Sequence, residues 1–193
     1  MRGRSHQVTQ DTLSVEETMH RIGRVSLLIQ GLALLFLLVL PTYHVVSWFV
    51  IDDWLQTHLA HRGIHVPVAE IAASTRILGF LVQTIPMGVA LIVIFWLHRL
   101  FAGYRRGEVF TLTSIGRFRG MARMLFLFTI VNPLAGALVS VIVTAGRPDG
   151  QQILVIGFGI PEIAALLTGG ALAAIGWVMV EAKRLADDNT QIV

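Results

Sequence analysis

The chain has 193 residues, of which 54% are hydrophobic and only 14% are charged, and its mean hydropathy is +0.70. Soluble domains carry about a quarter charged residues, so this composition excludes an ordinary soluble domain and indicates a membrane protein. The formal net charge is +3, and the lack of cysteine excludes disulfides, thiolate metal sites and cysteine nucleophiles.

The N-terminal region changes character twice. Residues 1–11 are polar and have no apolar face that could offset the entropy of ordering them, so we predict a loose tail. Ser14 and Glu17 then have the spacing of a helix cap, which predicts a short amphipathic helix before the first span. Residues 25–49 carry no formal charge and are long enough to cross a hydrocarbon core of about 30 Å. The run is too long for a signal peptide, so we predict the first membrane span here.

Three further apolar runs follow, and they predict spans over residues 77–101, 124–145 and 160–180. The first two spans are joined by a polar outer loop, residues 51–76, and the next two by a basic loop, residues 102–123. We therefore predict an all-α protein with one membrane domain, residues 1–193, in which four transmembrane helices form a bundle.

The basic residues orient this bundle. Twelve of the fifteen Lys and Arg residues lie in the two termini and the central loop, whereas Arg62, Arg76 and Arg147 lie on the other side. Because cytoplasmic loops are enriched in Lys and Arg, both termini and the central loop are predicted to be cytoplasmic. We expect a multi-pass membrane protein.

The central loop leads into a basic helix. Thr111 precedes a helical pattern in which Ile115, Phe118 and Ala122 share one face, so helix three should begin about ten residues before the membrane. This surface is interpreted either as an anchor for anionic lipid headgroups or as a docking face for a cytoplasmic protein. Its basic residues are Arg105, Arg106, Arg117, Arg119 and Arg123.

A motif in the same stretch resembles a known family. The motif is Phe101-x-x-Tyr104-x-x-Gly107-x-x-Phe110-Thr111, followed by the basic helix. It is similar to the signature of domain-of-unknown-function family 2975, a family of bacterial four-helix membrane proteins. Residues 180–193 also resemble the acidic, Val-ended tail of that family. The chain departs from that signature at residues 113–116, where an asparagine is usual. The resemblance implies a multi-pass protein of the bacterial inner membrane, often encoded beside a small helix-turn-helix regulator, and implies no catalytic residues.

The outer loop contains three histidines, His58, His61 and His65, spaced three and four residues apart after two aspartates. These residue types are ligands of zinc and copper, so the spacing suggests a metal site on one helical face. Gly63 interrupts that face and no clear fourth ligand is available. The alternative is a solvated loop or a loop in contact with lipid headgroups.

Polar residues inside the spans are the other candidates, because a bilayer rarely accommodates them without a function. They include Gln83, Asn132 and Glu162. Glu162 follows Pro161 and should lie in the first turn of the fourth span, near the outer interface, either as a helix cap or as part of a proton relay. Asn132 is expected to hydrogen-bond across helices rather than to bind a substrate.

Small residues recur four positions apart in the fourth span, at Gly169 with Ala173 and at Gly170 with Ala174. This spacing allows helices to approach closely. It is interpreted as packing within the bundle or as a homodimer interface.

Signatures of phosphate-binding loops, serine hydrolases and zinc proteases are missing from the sequence. We therefore predict no enzymatic activity, no cofactor and no direct nucleic-acid binding. The expected function is regulatory or scaffolding, in which the basic loop binds a cytoplasmic partner such as a helix-turn-helix regulator. The alternative is a membrane sensor or binding protein that takes a metal or a small lipophilic ligand in the outer loop or the bundle interior.

Overall fold

The fold is all-helical in the residues that a computed structural model describes. The backbone is described for residues 2–108, 111–147 and 152–190, and the side chains for residues 22–108, 111–147 and 152–185. The helices are α1 (Arg2–Phe49), α2 (Asp52–Ala60), α3 (Ala73–Tyr104), α4 (Leu112–Thr144) and α5 (Ile160–Thr190), with a 3-10 turn at Val68–Glu70. All but α2 are long and apolar enough to cross a membrane. The predicted all-α fold with four spans is confirmed, and the protein is a multi-pass membrane protein.

The N-terminal prediction is wrong in one respect. Residues 2–11 belong to α1, which runs from Arg2 to Phe49, and are not a loose tail. Adding residues to an existing helix avoids the cost of nucleation, so the apolar span can propagate into the polar segment before it.

The spanning helices pack in chain order. Among the described residues, α3 contacts α1 and α4, and α4 contacts α5, whereas α1 and α5 do not meet. Two glycines allow close approach: the indole of Trp48 in α1 lies where a side chain of Gly79 would be, and the indole of Trp96 in α3 occupies the same position at Gly120 in α4. α4 therefore lies between α3 and α5.

Residues 50–72, which we call the cap, are a packed element. Leu55, Leu59 and Ile64 are completely buried, in one cluster with Trp48 of α1 and Val139 of α4. Burial of such side chains contributes about 1.5–3 kcal/mol each. The interpretation of this segment as a solvated loop is therefore wrong for its apolar residues.

Polar contacts fix the cap to the ends of the spans. Asp52 forms an ion pair with Arg76 at 2.7 Å, and Glu70 forms one with Arg147 at 3.5 Å. Gly63, with a φ of +75°, turns the chain after α2, a conformation that glycine adopts at no steric cost.

The start of α4 agrees with the prediction. Thr111 is the N-cap residue, and its side chain accepts a hydrogen bond from the amide of Ser114 at 3.2 Å. Ile115 and Ala122 are buried, as the helical pattern predicts. Phe110 of the family motif lies outside the described residues.

Residues 152–159 are extended rather than helical. The amide of Ile153 donates to Thr144 Oγ1 at 3.1 Å, and the amide of Val155 donates to Ser140 Oγ at 3.0 Å. The segment therefore runs back along α4, from its end towards its middle. As a result, α5 begins inside the membrane and not at its surface.

Candidate functional site

The polar residues of the spans converge on Asn132 of α4. Its Oδ1 accepts hydrogen bonds from Arg62 Nη2 at 3.2 Å and from Gln83 Nε2 at 3.5 Å, and its Nδ2 donates to Glu162 Oε1. The predicted role of Asn132, hydrogen bonding across helices, is confirmed. One amide side chain thus connects α3, α4, α5 and the cap.

This network lies deep in the membrane. Asn132 is twelve positions before Thr144, the last residue of α4, which corresponds to about 18 Å at 1.5 Å per residue. The hydrocarbon core is about 30 Å thick. The predicted span over residues 124–145, if it crosses this core, places Asn132 near the middle of the bilayer.

Glu162 caps the first turn of α5, which is one of the two roles predicted for it. Its Oε2 accepts from the amide of Gly159 at 2.7 Å, the reciprocal contact that a third-position carboxylate makes with an N-cap residue. The side chain is only 3% exposed. The extended segment before Gly159 carries the start of α5 to the level of Asn132, so Glu162 lies beside the middle part of α4 rather than beside its end.

Arg62 reaches this depth from the cap. It follows α2, and its guanidinium occupies the space beside Gly136 of α4, where an added Cβ would lie 2.5 Å from Nη1. The guanidinium has five N–H donors but makes one hydrogen bond among the described residues, the one to Asn132.

A cavity of about 640 Å³ opens beside this network. Its walls come from the cap, α4, the extended segment and the start of α5. The polar lining residues are His58, His61, Arg62, Asn132 and Glu162, and the apolar ones include Val155, Phe158 and Ile160. Binding sites for small organic molecules have volumes of about 300–1,000 Å³, mostly apolar walls and a few polar groups. The cavity has the size and the lining of such a site.

His58 forms part of the wall. Its imidazole packs edge-on against the indole of Trp48, with 6.5 Å between ring centroids, and its Nε2 is buried without a hydrogen-bond partner among the described residues. Burial, with smaller contributions from Arg62, His44 and His61, lowers the pKa of His58 to about 4. His58 is therefore neutral at neutral pH.

The three histidines of the suggested metal site are not brought together. His58 points into the protein, the Nδ1 of His61 lies 2.8 Å from the carbonyl oxygen of Thr57, and His65 is exposed. In the described part of the chain, no group of three or more His, Asp or Glu side chains is placed to hold a metal ion. Gly63 and the end of α2 turn the chain between His61 and His65, so the helical face that the spacing suggested is interrupted.

The basic residues lie on the opposite side of the membrane, which we call the arginine side. Arg105, Arg106, Arg119 and Arg123 are exposed there. Arg117 differs from them, because its Nη1 donates to the carbonyl of Arg99 at 2.8 Å and joins α3 to α4. The first four can meet a partner or a lipid headgroup, whereas Arg117 connects two helices.

Sequence reasoning identified Gln83, Asn132 and Glu162 but missed Arg62, which it used only to orient the protein. The position of Arg62 beside Gly63 in a segment rich in apolar residues was a weak signal that it could be buried. Comparison with protein-family models, curated proteins and solved structures finds no match to this chain. The resemblance to family 2975 therefore stays a prediction.

Proposed function

We propose that the protein is a membrane receptor that binds a small organic carboxylate in the cavity beside Asn132. The observation that carries this proposal is Arg62, a guanidinium near mid-membrane that lines a cavity and makes a single hydrogen bond among the described residues. Ionisable side chains at this depth are costly and are typically retained for function.

The lining favours a carboxylate with an apolar body. A guanidinium presents paired donors that match the two oxygens of a carboxylate. Both oxygens of Glu162 already accept hydrogen bonds, from Asn132 and from the amide of Gly159, so this carboxylate is less available to a cationic ligand. Val155, Phe158 and Ile160 offer apolar contacts to the rest of the molecule.

A receptor fits the packing better than a transporter. Beyond the cavity, towards the arginine side, α4 and α5 pack closely, with the Cβ position of Gly169 only 3.2 Å from Leu125 Cβ. The sequence has no repeated half of the kind from which many transporters are built. α4 itself extends from the cavity to the arginine side, so a shift of α4 on binding would change the arginine side as well.

The orientation is part of the proposal. The arginine side would face the cytoplasm of a bacterium, with the protein in the inner membrane, because basic residues are enriched in cytoplasmic segments. The cap and the cavity would then face outwards.

The first test is ligand-dependent thermal unfolding of the purified protein in detergent, with hexanoate as the probe and hexanol as its uncharged counterpart. A ligand that binds only the folded state raises the unfolding temperature by mass action. We expect hexanoate to raise it and hexanol not to. R62Q should abolish the effect, whereas R147Q, an arginine on the same side that pairs with Glu70, should retain it.

A second variant separates binding from folding. In G136A the new methyl group occupies the space of the Arg62 guanidinium, while alanine favours a helix by about 0.5–1 kcal/mol over glycine. We expect G136A to fold normally and to respond weakly to hexanoate. G88A is the control, because nothing lies within 4 Å of the Cβ position of Gly88. The proposal would be refuted if hexanoate stabilised R62Q as much as the unaltered protein, or if it did not stabilise the unaltered protein.

A second candidate function is the binding of a cytoplasmic regulator, and the exposed guanidinium groups of Arg105 and Arg106 favour it. A helix-turn-helix protein is the partner that the family resemblance suggests. The protein purified from its own membrane in mild detergent should then carry a stoichiometric partner, and R105Q/R106Q should lose it. Purification of the unaltered protein alone would count against this function.

A further inference from the structure

A second concave surface lies between α4 and α5 at the arginine side, with a volume of about 750 Å³. We call it the α4–α5 groove. Its lining includes Arg119, Arg123, Phe126, Gly170, Ala174 and Trp177. We propose that this groove binds one anionic phospholipid, whose phosphate lies between the two arginines and whose acyl chain lies along the small residues of α5.

The charges of the groove are available to an anion. Arg119 and Arg123 are exposed and lie one turn apart on α4. The ion pairs found among the described residues involve other arginines, namely Arg76, Arg147 and Arg184. A phosphate with two non-ester oxygens can therefore bridge guanidinium groups that have no acidic partner in the described part of the chain.

The floor of the groove has room for an acyl chain. The Cβ position of Gly170 has nothing within 4 Å, so this side of α5 faces open space. Gly169, its neighbour, instead packs against Leu125 of α4. The two small-residue pairs of α5 thus differ: Gly169 serves helix packing, and Gly170 with Ala174 opens the groove.

The depth matches that of a headgroup. Arg123 is nine positions from Asn132 along α4, or about 13 Å towards the arginine side. Half of a hydrocarbon core is about 15 Å thick, so Arg123 lies near the headgroup boundary. Gly176 of α5 packs near Arg119. The next residue, Trp177, is therefore at the same level, and it is 76% exposed. Tryptophan is enriched at this boundary in membrane proteins.

A second copy of the chain fits the groove less well. A two-fold interface centred here would bring Arg119 and Arg123 of both copies together without a described acidic partner. Like charges brought close at an interface cost several kcal/mol, and a lipid phosphate avoids this repulsion.

The test is native mass spectrometry of the whole protein in a neutral detergent with added phosphatidylglycerol or phosphatidylcholine of identical acyl chains. We expect one phosphatidylglycerol per chain to be retained preferentially. R119Q/R123Q should weaken its binding about thirtyfold, because each basic residue near a membrane surface contributes about 1 kcal/mol to the attraction of anionic lipid. K183Q/R184Q removes the same charge from α5 outside the groove and should leave the binding of phosphatidylglycerol unchanged.

A third variant tests the acyl chain. G170L places a side chain in open space and should displace the lipid without disturbing the contact of α5 with α4. Inorganic phosphate at millimolar concentration should not compete with the lipid. Equal binding of both lipids, loss of binding in K183Q/R184Q, or full binding in G170L would overturn the proposal. A dimer that G170L converts to monomers would identify a second copy as the occupant, and a co-purifying protein lost with R119Q/R123Q would identify a cytoplasmic partner.

Discussion

At the scale of single residues, Arg62 is the most informative side chain. A charge transferred from water into a protein interior loses several kcal/mol of hydration, which only partners can offset. Here the partner in contact is neutral: Asn132 accepts from Arg62 and donates to Glu162, so an amide connects the two charges. This arrangement leaves guanidinium donors for a ligand, which a direct bidentate ion pair with Glu162 would have used.

His58 makes stability depend on pH. Its pKa is about 4 in the folded protein because of burial, helped by Arg62, His44 and His61, and about 6.5 in an unfolded chain. Between these values the unfolded state binds more protons. The contribution of His58 to stability is therefore complete above pH 6.5 and is lost progressively as the pH falls to about 4.

The measurement is the unfolding temperature in detergent between pH 7.5 and pH 4.5. H58F keeps a ring beside Trp48 and cannot be protonated, so its unfolding temperature should fall less steeply than that of the unaltered protein. H65Q, which removes an exposed histidine, should not change the slope. The same slope in H58F and the unaltered protein would contradict the assignment.

At the scale of elements, the spans could be predicted because their signal is local. The predicted end of the first span at residue 49 and the predicted start of the fourth at residue 160 coincide with the end of α1 and the start of α5. The cap and the extended segment could not be predicted, because their positions depend on contacts with distant residues. Val155 and Ser140, for example, are fifteen positions apart, and nothing in either stretch alone indicates that they pair.

The contact of α1 with α3 depends on one glycine. A methyl group at Gly79 would overlap the indole of Trp48, which is only 1% exposed and cannot rotate away easily. Overpacking of this kind costs about 1–3 kcal/mol. We expect G79A to lower the unfolding temperature in detergent relative to G88A, which adds the same group in open space. If the two variants unfold at the same temperature, Trp48 does not fix the position of α3.

At the scale of the whole molecule, the orientation can be measured directly because the chain has no cysteine. Single cysteines can replace His65, exposed in the cap, or Thr113, exposed at the start of α4. In intact spheroplasts, a membrane-impermeant maleimide should label H65C but label T113C only after lysis. The four spans place these residues on opposite sides. The reverse pattern would turn the cavity towards the cytoplasm and require an intracellular ligand.

The packing of the helices in chain order also bears on how the protein is made. During synthesis each new span enters the bilayer after its neighbour: α3 joins α1, α4 joins α3, and α5 joins α4. Domains and their parts generally assemble from the N-terminus as the chain emerges. Arg62 is the exception, because it is synthesised seventy residues before Asn132 and a hundred before Glu162. The polar network therefore cannot close until the start of α5 has been synthesised, long after the cap that carries Arg62.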